Sequence, residues 1–246
     1  MPPLAPGVYI EELPAQMTPI VGVDTRTAGF IGVSQQGPAP VLVTSFAEFL
    51  ALAVLHPSQF LSLAVQGFFN NGGNRCYVVS IMPTAPLQPV LDALGALDIE
   101  ILCCPDENLI ANAAATLAAD CENRKDRFCI LQSPQPVIPD AIHQPPVHSS
   151  YAAYYYPWIT VPSPGGSAVT MPPGGHVAGV YARIDTNRGV FKAPAGAEAN
   201  LVGVTDLSQA VTDAQNTVLN GRGIDVIRSF PVYRSRFLGH AKEIPT

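Results

Sequence analysis

Three consecutive stretches decide the fold: Ile99-Glu-Ile-Leu-Cys103, then Leu109-Ile-Ala-Asn-Ala-Ala-Ala-Thr-Leu-Ala-Ala-Asp-Cys-Glu122, then Phe128-Cys-Ile-Leu131. The outer two are short apolar runs of strand length. In the middle one Leu109, Ile110, Ala113, Ala114, Leu117, Ala118 and Cys121 recur at helical spacing and form one stripe, with Asp106 or Asn108 as cap. Strand–helix–strand alternation predicts an α/β layer containing parallel strands. Just upstream, Arg75–Met82 (RCYVVSIM) is a nearly continuous apolar run, as expected of a strand covered on both faces.

Working outward, the same logic predicts strands at Thr27–Val33 and Val41–Thr44. Ser45 caps a helix from Phe46 to about Leu52, with Glu48 completing a capping box. A second helix covers about Ser58–Phe69 and stops at Asn70-Asn71-Gly72-Gly73. Downstream, Tyr151–Ile159 (YAAYYYPWI) reads as an aromatic strand. Pro172-Pro173 starts a helix over Gly174–Arg188, and Thr212 caps one over about Asp213–Leu219. Ile224–Ser229 is a last strand. The expected fold class is α/β, α+β mixed: a mixed sheet flanked by helices, with an extended N-terminal arm. That arm, residues 1–25, carries Val8-Tyr9-Ile10-Glu11-Glu12-Leu13, an extended run between prolines with no local hairpin partner.

Composition narrows the function. Hydrophobic residues make up 48% of the 246 and charged residues only 13%, about half the usual charged share. A chain with so little charge expects to cover much of its surface with partners. Net charge is -6, against nonspecific nucleic-acid binding. From Gly221 to Thr246 five basic residues, including Arg234, Arg236 and Lys242, face two acidic ones, so an acidic body ends in a basic tail suited to ionic contacts between copies.

No chemistry-bearing motif stands out. Cys76, Cys103, Cys104, Cys121 and Cys129 lie in apolar contexts with no CxxC pair, so they read as buried thiols in a reducing compartment. The five histidines form no triad or metal spacing, and GxGxxG, GxxxxGK[ST] and GxSxG are absent. The N-terminus lacks a signal-peptide pattern. The longest uncharged stretch, Ala141–Ala182, contains seven prolines and five glycines, unsuited to a spanning helix. The expectation is no catalytic residue, no cofactor and no metal. The Tyr154–Trp158 cluster lacks the interleaved Arg and Lys of a base-stacking platform and reads as core or interface.

Five blocks in collinear order carry a resemblance: Pro6–Pro14 (PGVYIEELP) with Ile20–Thr25 and then AGFIG at 28–32, Val43–Phe49 with Leu63–Val79, Tyr151–Ile159, PPGGHVAGVYARIDTNRGVFKAPAG at 172–196, and LNGRGIDVIRSF at 219–230. Together they resemble contractile phage tail sheath proteins over about residues 1–230. The resemblance implies a structural subunit that polymerises around an inner tail tube and contracts to drive it through a cell envelope. Phage tails, tailocins and extracellular injection systems share this design. It implies an inter-subunit arm at Val8, Tyr9, Ile10, Glu11 and Glu12 that adds a strand to a neighbour. The implied partners are copies of itself or of a full-length sheath protein, and the tube protein. Nucleic acid and membrane insertion are not implied, and the particle is a virion tail or injection system assembled in the bacterial cytoplasm.

The expected division is an arm at 1–25, a sheath body at 26–196, and a partial C-terminal segment with a basic tail at 197–246. Sheath proteins continue for roughly a hundred residues past a block like GIDVIRSFP, through a Gly- and Trp-containing block. Here Pro231–Thr246 stands in its place, which predicts an exposed sheet edge near Ile224–Ser229 unless Pro231 and the basic residues blunt it. It also puts tube coupling by this chain alone in question. A cap, baseplate or assembly-regulating protein built on a sheath body stays open as an alternative, as does an α/β enzyme.

Overall fold

A computed structural model describes residues 27–34, 39–52, 58–135, 137–142, 144–163, 166–230 and 235–238. The arm with Val8–Glu12 therefore lies outside the described residues, as do Arg234 and Lys242; Arg236 falls within a strand. In chain order the elements are β1 (Ala28–Val33), β2 (Val41–Val43), α1 (Phe46–Ala51), α2 (Gln59–Asn70), β3 (Cys76–Ile81), α3 (Gln88–Gly95), β4 (Ile101–Cys103), α4 (Ala113–Arg124), β5 (Phe128–Gln132), β6 (Ala152–Tyr156), β7 (Ile159–Pro162), β8 (Ala168–Met171), α5 (Gly174–Arg188), β9 (Asp206–Leu207), α6 (Asp213–Gly221), β10 (Ile224–Phe230) and β11 (Ser235–Leu238).

The main sheet has eight strands in the order β11-β10-β6-β5-β4-β1-β3-β2. Its interior pairings are all parallel, and only the two edge strands, β2 and β11, run antiparallel to their neighbours. A second sheet, β8-β7-β9, is antiparallel. Strand alternation sends Phe30, Cys103, Ile130 and Tyr155 to the face packed with α2 and α5. Ile31, Val79, Leu102, Cys129 and Tyr154 go to the other face, against residues of α3, α4 and α6. Covering on both faces explains the unbroken apolar run of β3. The five cysteines are all free and buried, as their contexts imply.

Two helices meet backbone to backbone. A Cβ on Gly175 would lie 2.4 Å from the Ala64 carbonyl oxygen, and one on Gly179 would lie 2.5 Å from that of Phe68. Glycine at both positions lets α5 sit directly on α2. His176, between them, is buried against Gly67, and burial holds its pKa down at about 4.

Several expectations need correction. Ser45 does cap α1, accepting from the Glu48 N–H, but the Glu48 carboxylate returns to Thr44 rather than to Ser45. The helix expected from Leu109 begins at Ala113, preceded by a 3-10 turn at Glu107–Leu109. Neither proposed cap serves it: Asn112 occupies the cap position, and the Asp106 carboxylate is spent on other partners described below. The aromatic run Tyr151–Ile159 divides between two sheets, with β6 ending at Tyr156 and β7 starting at Ile159; Pro157 between them has no N–H for a ladder. Helix α3 was not anticipated. The edge expected to be open at Ile224–Ser229 is paired over its second half: β11 runs antiparallel to β10 from Ile227↔Leu238 to Phe230↔Ser235.

Candidate assembly surface

In open α/β sheets ligands bind beyond the carboxyl ends of the strands, where the strand order reverses. Here that point lies between β1 and β4. It is closed by side chains. The Asp106 carboxylate accepts from the Val33 N–H at 2.8 Å and from Ser58 Oγ at 2.5 Å, tying the end of β1 to the N-cap of α2. Glu107 accepts from the Gln132 N–H at 3.1 Å. The Gln132 amide donates to the Cys104 carbonyl at 2.5 Å and accepts from the Gly174 N–H at 3.1 Å. Gly174 opens α5, so the helix end that could cradle a phosphate is already bonded to a side chain. Trp158 seals the rim, donating from Nε1 to the Ser133 carbonyl at 2.6 Å.

Burial raises the Glu107 pKa to about 8 and raises Asp106 as well. These groups resemble an acid pair in sequence, yet both are buried within the protein and tie elements together. Their perturbed pKa values come from desolvation, which structural networks also produce.

Open surface lies at the opposite end. A cleft of about 1770 Å³ runs along the amino-terminal ends of the parallel strands, past Ile101, Phe128, Ala152 and Ile224. The C-terminal half of α5 and the loop Gly189–Pro194 form its far wall. Phe128 and Tyr181 stack in that wall with centroids 5.7 Å apart. The loop leaves α5 at Gly189, whose φ of +94° suits a residue without a side chain. The turn is closed by the Lys192 N–H donating to the Gly189 carbonyl at 3.1 Å. It projects Val190, 69% exposed, and Phe191, 87% exposed. Apolar side chains held outward on a fixed turn are features of an interaction surface. Sequence reading did not single them out, because a lone Val-Phe pair has no period.

Of the sequence-derived site residues, Arg236 stands in edge strand β11, and the others lie outside the described residues. No group of three or more His, Cys, Asp or Glu side chains suited to a metal occurs among the described residues. No helix among them is long and apolar enough to cross a membrane.

Helices on both faces of a largely parallel sheet and a switch point closed by buried side chains define an α/β module. Residues 84–239, more than half of the chain, match the model of the phage tail sheath protein central domain. The chain belongs to the phage tail sheath protein family. Among solved structures it is similar to the helical sheath of the anti-feeding prophage (AFP) in the contracted state, with 29% identity and a TM-score of 0.71, over 98% of this chain and 68% of that one. Similarity to the AFP baseplate structure is equal, at 29% and 0.71, over 97% and 68%. The sheath complex of an extracellular contractile injection system, PVC, in the contracted state matches at 26% and 0.72, over 95% and 65%. The chain thus spans about two thirds of the length of these solved chains. No curated protein matches it in sequence.

Proposed function

We propose that this chain is a structural subunit of a contractile sheath, polymerising around an inner tail tube and contracting to drive it through a cell envelope. The observation that carries the reading is that nearly the whole chain follows sheath subunits solved within contracted assemblies. The low charge and the outward Val190 and Phe191 support it, since both suit a body enclosed by neighbours. The chain is a structural component and not an enzyme, without a resident cofactor.

Its partners are copies of itself or of a full-length sheath protein, and the tube. Val8, Tyr9, Ile10, Glu11 and Glu12 form the donated arm, residues 26–196 the body, and 197–246 a C-terminal segment. In that segment Arg234, Arg236 and Lys242 make ionic contacts with a neighbour's acidic body. Nucleic acid and membrane insertion have no part in it. The particle is a tail or injection system assembled in the bacterial cytoplasm. The equal likeness to a baseplate structure favours one second reading, a baseplate or cap component. Negative-stain microscopy of the chain expressed with its neighbouring genes tests this. Long striated tubes support the sheath role, short rings or end-bound particles the baseplate role, and monomers carrying a bound small molecule would overturn both.

A further inference from the structure

The loop from Gly189 to Pro194 is built to present side chains rather than to bury them. Gly189 ends α5 with a φ of +94°, and the Lys192 N–H closes the turn on the Gly189 carbonyl at 3.1 Å. A Cβ on Gly189 would lie 2.7 Å from the Phe191 ring, so the ring rests over bare glycine backbone. Phe191 still stays 87% exposed, with Val190 at 69%. An apolar pair held outward by a closed turn has given up much of its freedom before any partner arrives, which lowers the cost of docking. Lys192 follows Phe191 directly, and residues 189–194 contain no acidic side chain. The loop is an apolar knob carrying one positive charge.

The cleft beside the loop has the complementary character. It is lined by Glu100, Glu122, Asp126, Asp185 and Asp225. Outside the loop, Lys125 and Arg127 are the basic residues that line it among the described residues, and Arg127 is itself bonded to Asp126 at 2.9 Å. The field in the cleft is therefore negative, and a recess lined by one sign of charge focuses that field on an arriving cation. The stacked Phe128 and Tyr181, with half-buried Val147 and Tyr151, give the cleft an apolar wall. Phe191 of the same chain buries almost none of its own surface there.

We propose that the Val190-Phe191-Lys192 loop of one copy seats in the cleft of a second copy, with Phe191 against the Phe128–Tyr181 wall and Lys192 toward the carboxylates. The desolvated ring supplies affinity. The charge selects the partner surface and fixes the orientation, because basic knob and acidic cleft are complementary. The contact joins two bodies and uses no residue of the arm. It rests on the sheath reading only in taking a second copy as the occupant.

The test places the photoreactive analogue p-benzoylphenylalanine at position 191 of the full chain. Isotopically light and heavy protein are mixed and irradiated, so that mass spectrometry separates cross-links between copies from those within one. The expected cross-links run between copies, from position 191 to residues 122–128, 147–154 or Tyr181. Phe191→Ser and Lys192→Glu are each expected to raise the dissociation constant of self-association by about tenfold, read by sedimentation. Phe191→Ser should leave Tm unchanged, since the ring is exposed in the single chain. Cross-links confined to one chain, to another surface of the second copy or to a different protein would overturn the proposal. So would self-association that both substitutions leave intact. Striated tubes whose subunits lack the cross-link would overturn it and leave the sheath role standing, whereas a chain monomeric at every concentration would overturn both.

Discussion

Replacing Gly175 by alanine sets two physical effects against each other. Alanine in a helix interior is favoured over glycine by about 1 kcal/mol, so propensity alone makes Gly175→Ala stabilising. The α2–α5 crossing reverses the sign. The new Cβ would sit 2.4 Å from the Ala64 carbonyl oxygen and 2.5 Å from both Ala64 Cα and Cβ, where ordinary contact begins at 3.4 Å. Two of these three atoms are backbone, so no rotamer change relieves the overlap, and the helices must part by about 1 Å. Overpacking of this kind costs about 1–3 kcal/mol, and a backbone obstacle belongs at the upper end. The net expectation is a loss of about 2 kcal/mol, equal to a fall in Tm of about 4–8 °C for a chain of this size. Urea unfolding followed by circular dichroism measures it. Gly221→Ala, at the end of α6 with nothing within 4 Å of the new Cβ, is the control and should be neutral to slightly stabilising. Ala64→Gly in the Gly175→Ala background should recover only part of the loss, because the carbonyl remains. A Gly175→Ala midpoint at or above wild type would refute the close crossing.

Buried titratable groups give the chain two pH limbs. The unfolded chain protonates His176 near 6.5 while the folded chain refuses the proton down to about 4, so stability is full above pH 6.5 and falls by on the order of 3 kcal/mol toward pH 4. His176→Gln should flatten that limb in urea titrations, and an unchanged limb would count against the assignment. Glu107 acts in the other direction: its pKa is raised to about 8, so its contribution is present below the unfolded value near 4.5 and is lost as pH rises to 8. Glu107→Gln should stabilise the protein by on the order of 2 kcal/mol at pH 8.5 and leave it unchanged at pH 4, read from the same unfolding curves. Deleting Met1–Gln16 should leave the circular dichroism spectrum and Tm of the core intact while shortening or abolishing polymers in sedimentation; unchanged polymer length would remove the arm from assembly. Raising salt from about 0.05 to 0.5 M should weaken self-association through Arg234, Arg236 and Lys242, since exposed charges are screened within roughly 10 Å at 0.1 M; salt-independent sedimentation would contradict the ionic contacts.

Where periodicity and capping act locally, the chain declares its fold openly. Helix α5 starts at Gly174 after Pro172-Pro173 and ends at Arg188, as the sequence implies. Strand β3 is covered on both faces as its apolar run requires. What was hidden depends on distant partners. Asp106 reads as a helix cap, but Val33 and Ser58 claim its carboxylate from other elements, and the helix start moves to Ala113. Strand β11 has no pattern of its own, since Ser235–Leu238 becomes a strand only because β10 offers an edge. The outer surface was harder still. Phe191 is unremarkable in sequence and becomes a projecting contact only because Gly189 turns the chain outward.

The most direct trial of the sheath role is electron cryo-microscopy of the particle assembled when this chain is expressed with its neighbouring genes, combined with mass spectrometry of the purified particle. The expected result is density for this chain repeated through a helical lattice around a tube, with the α/β body recognisable in every subunit. Particles that assemble fully without this chain, while it remains monomeric in solution, would contradict it.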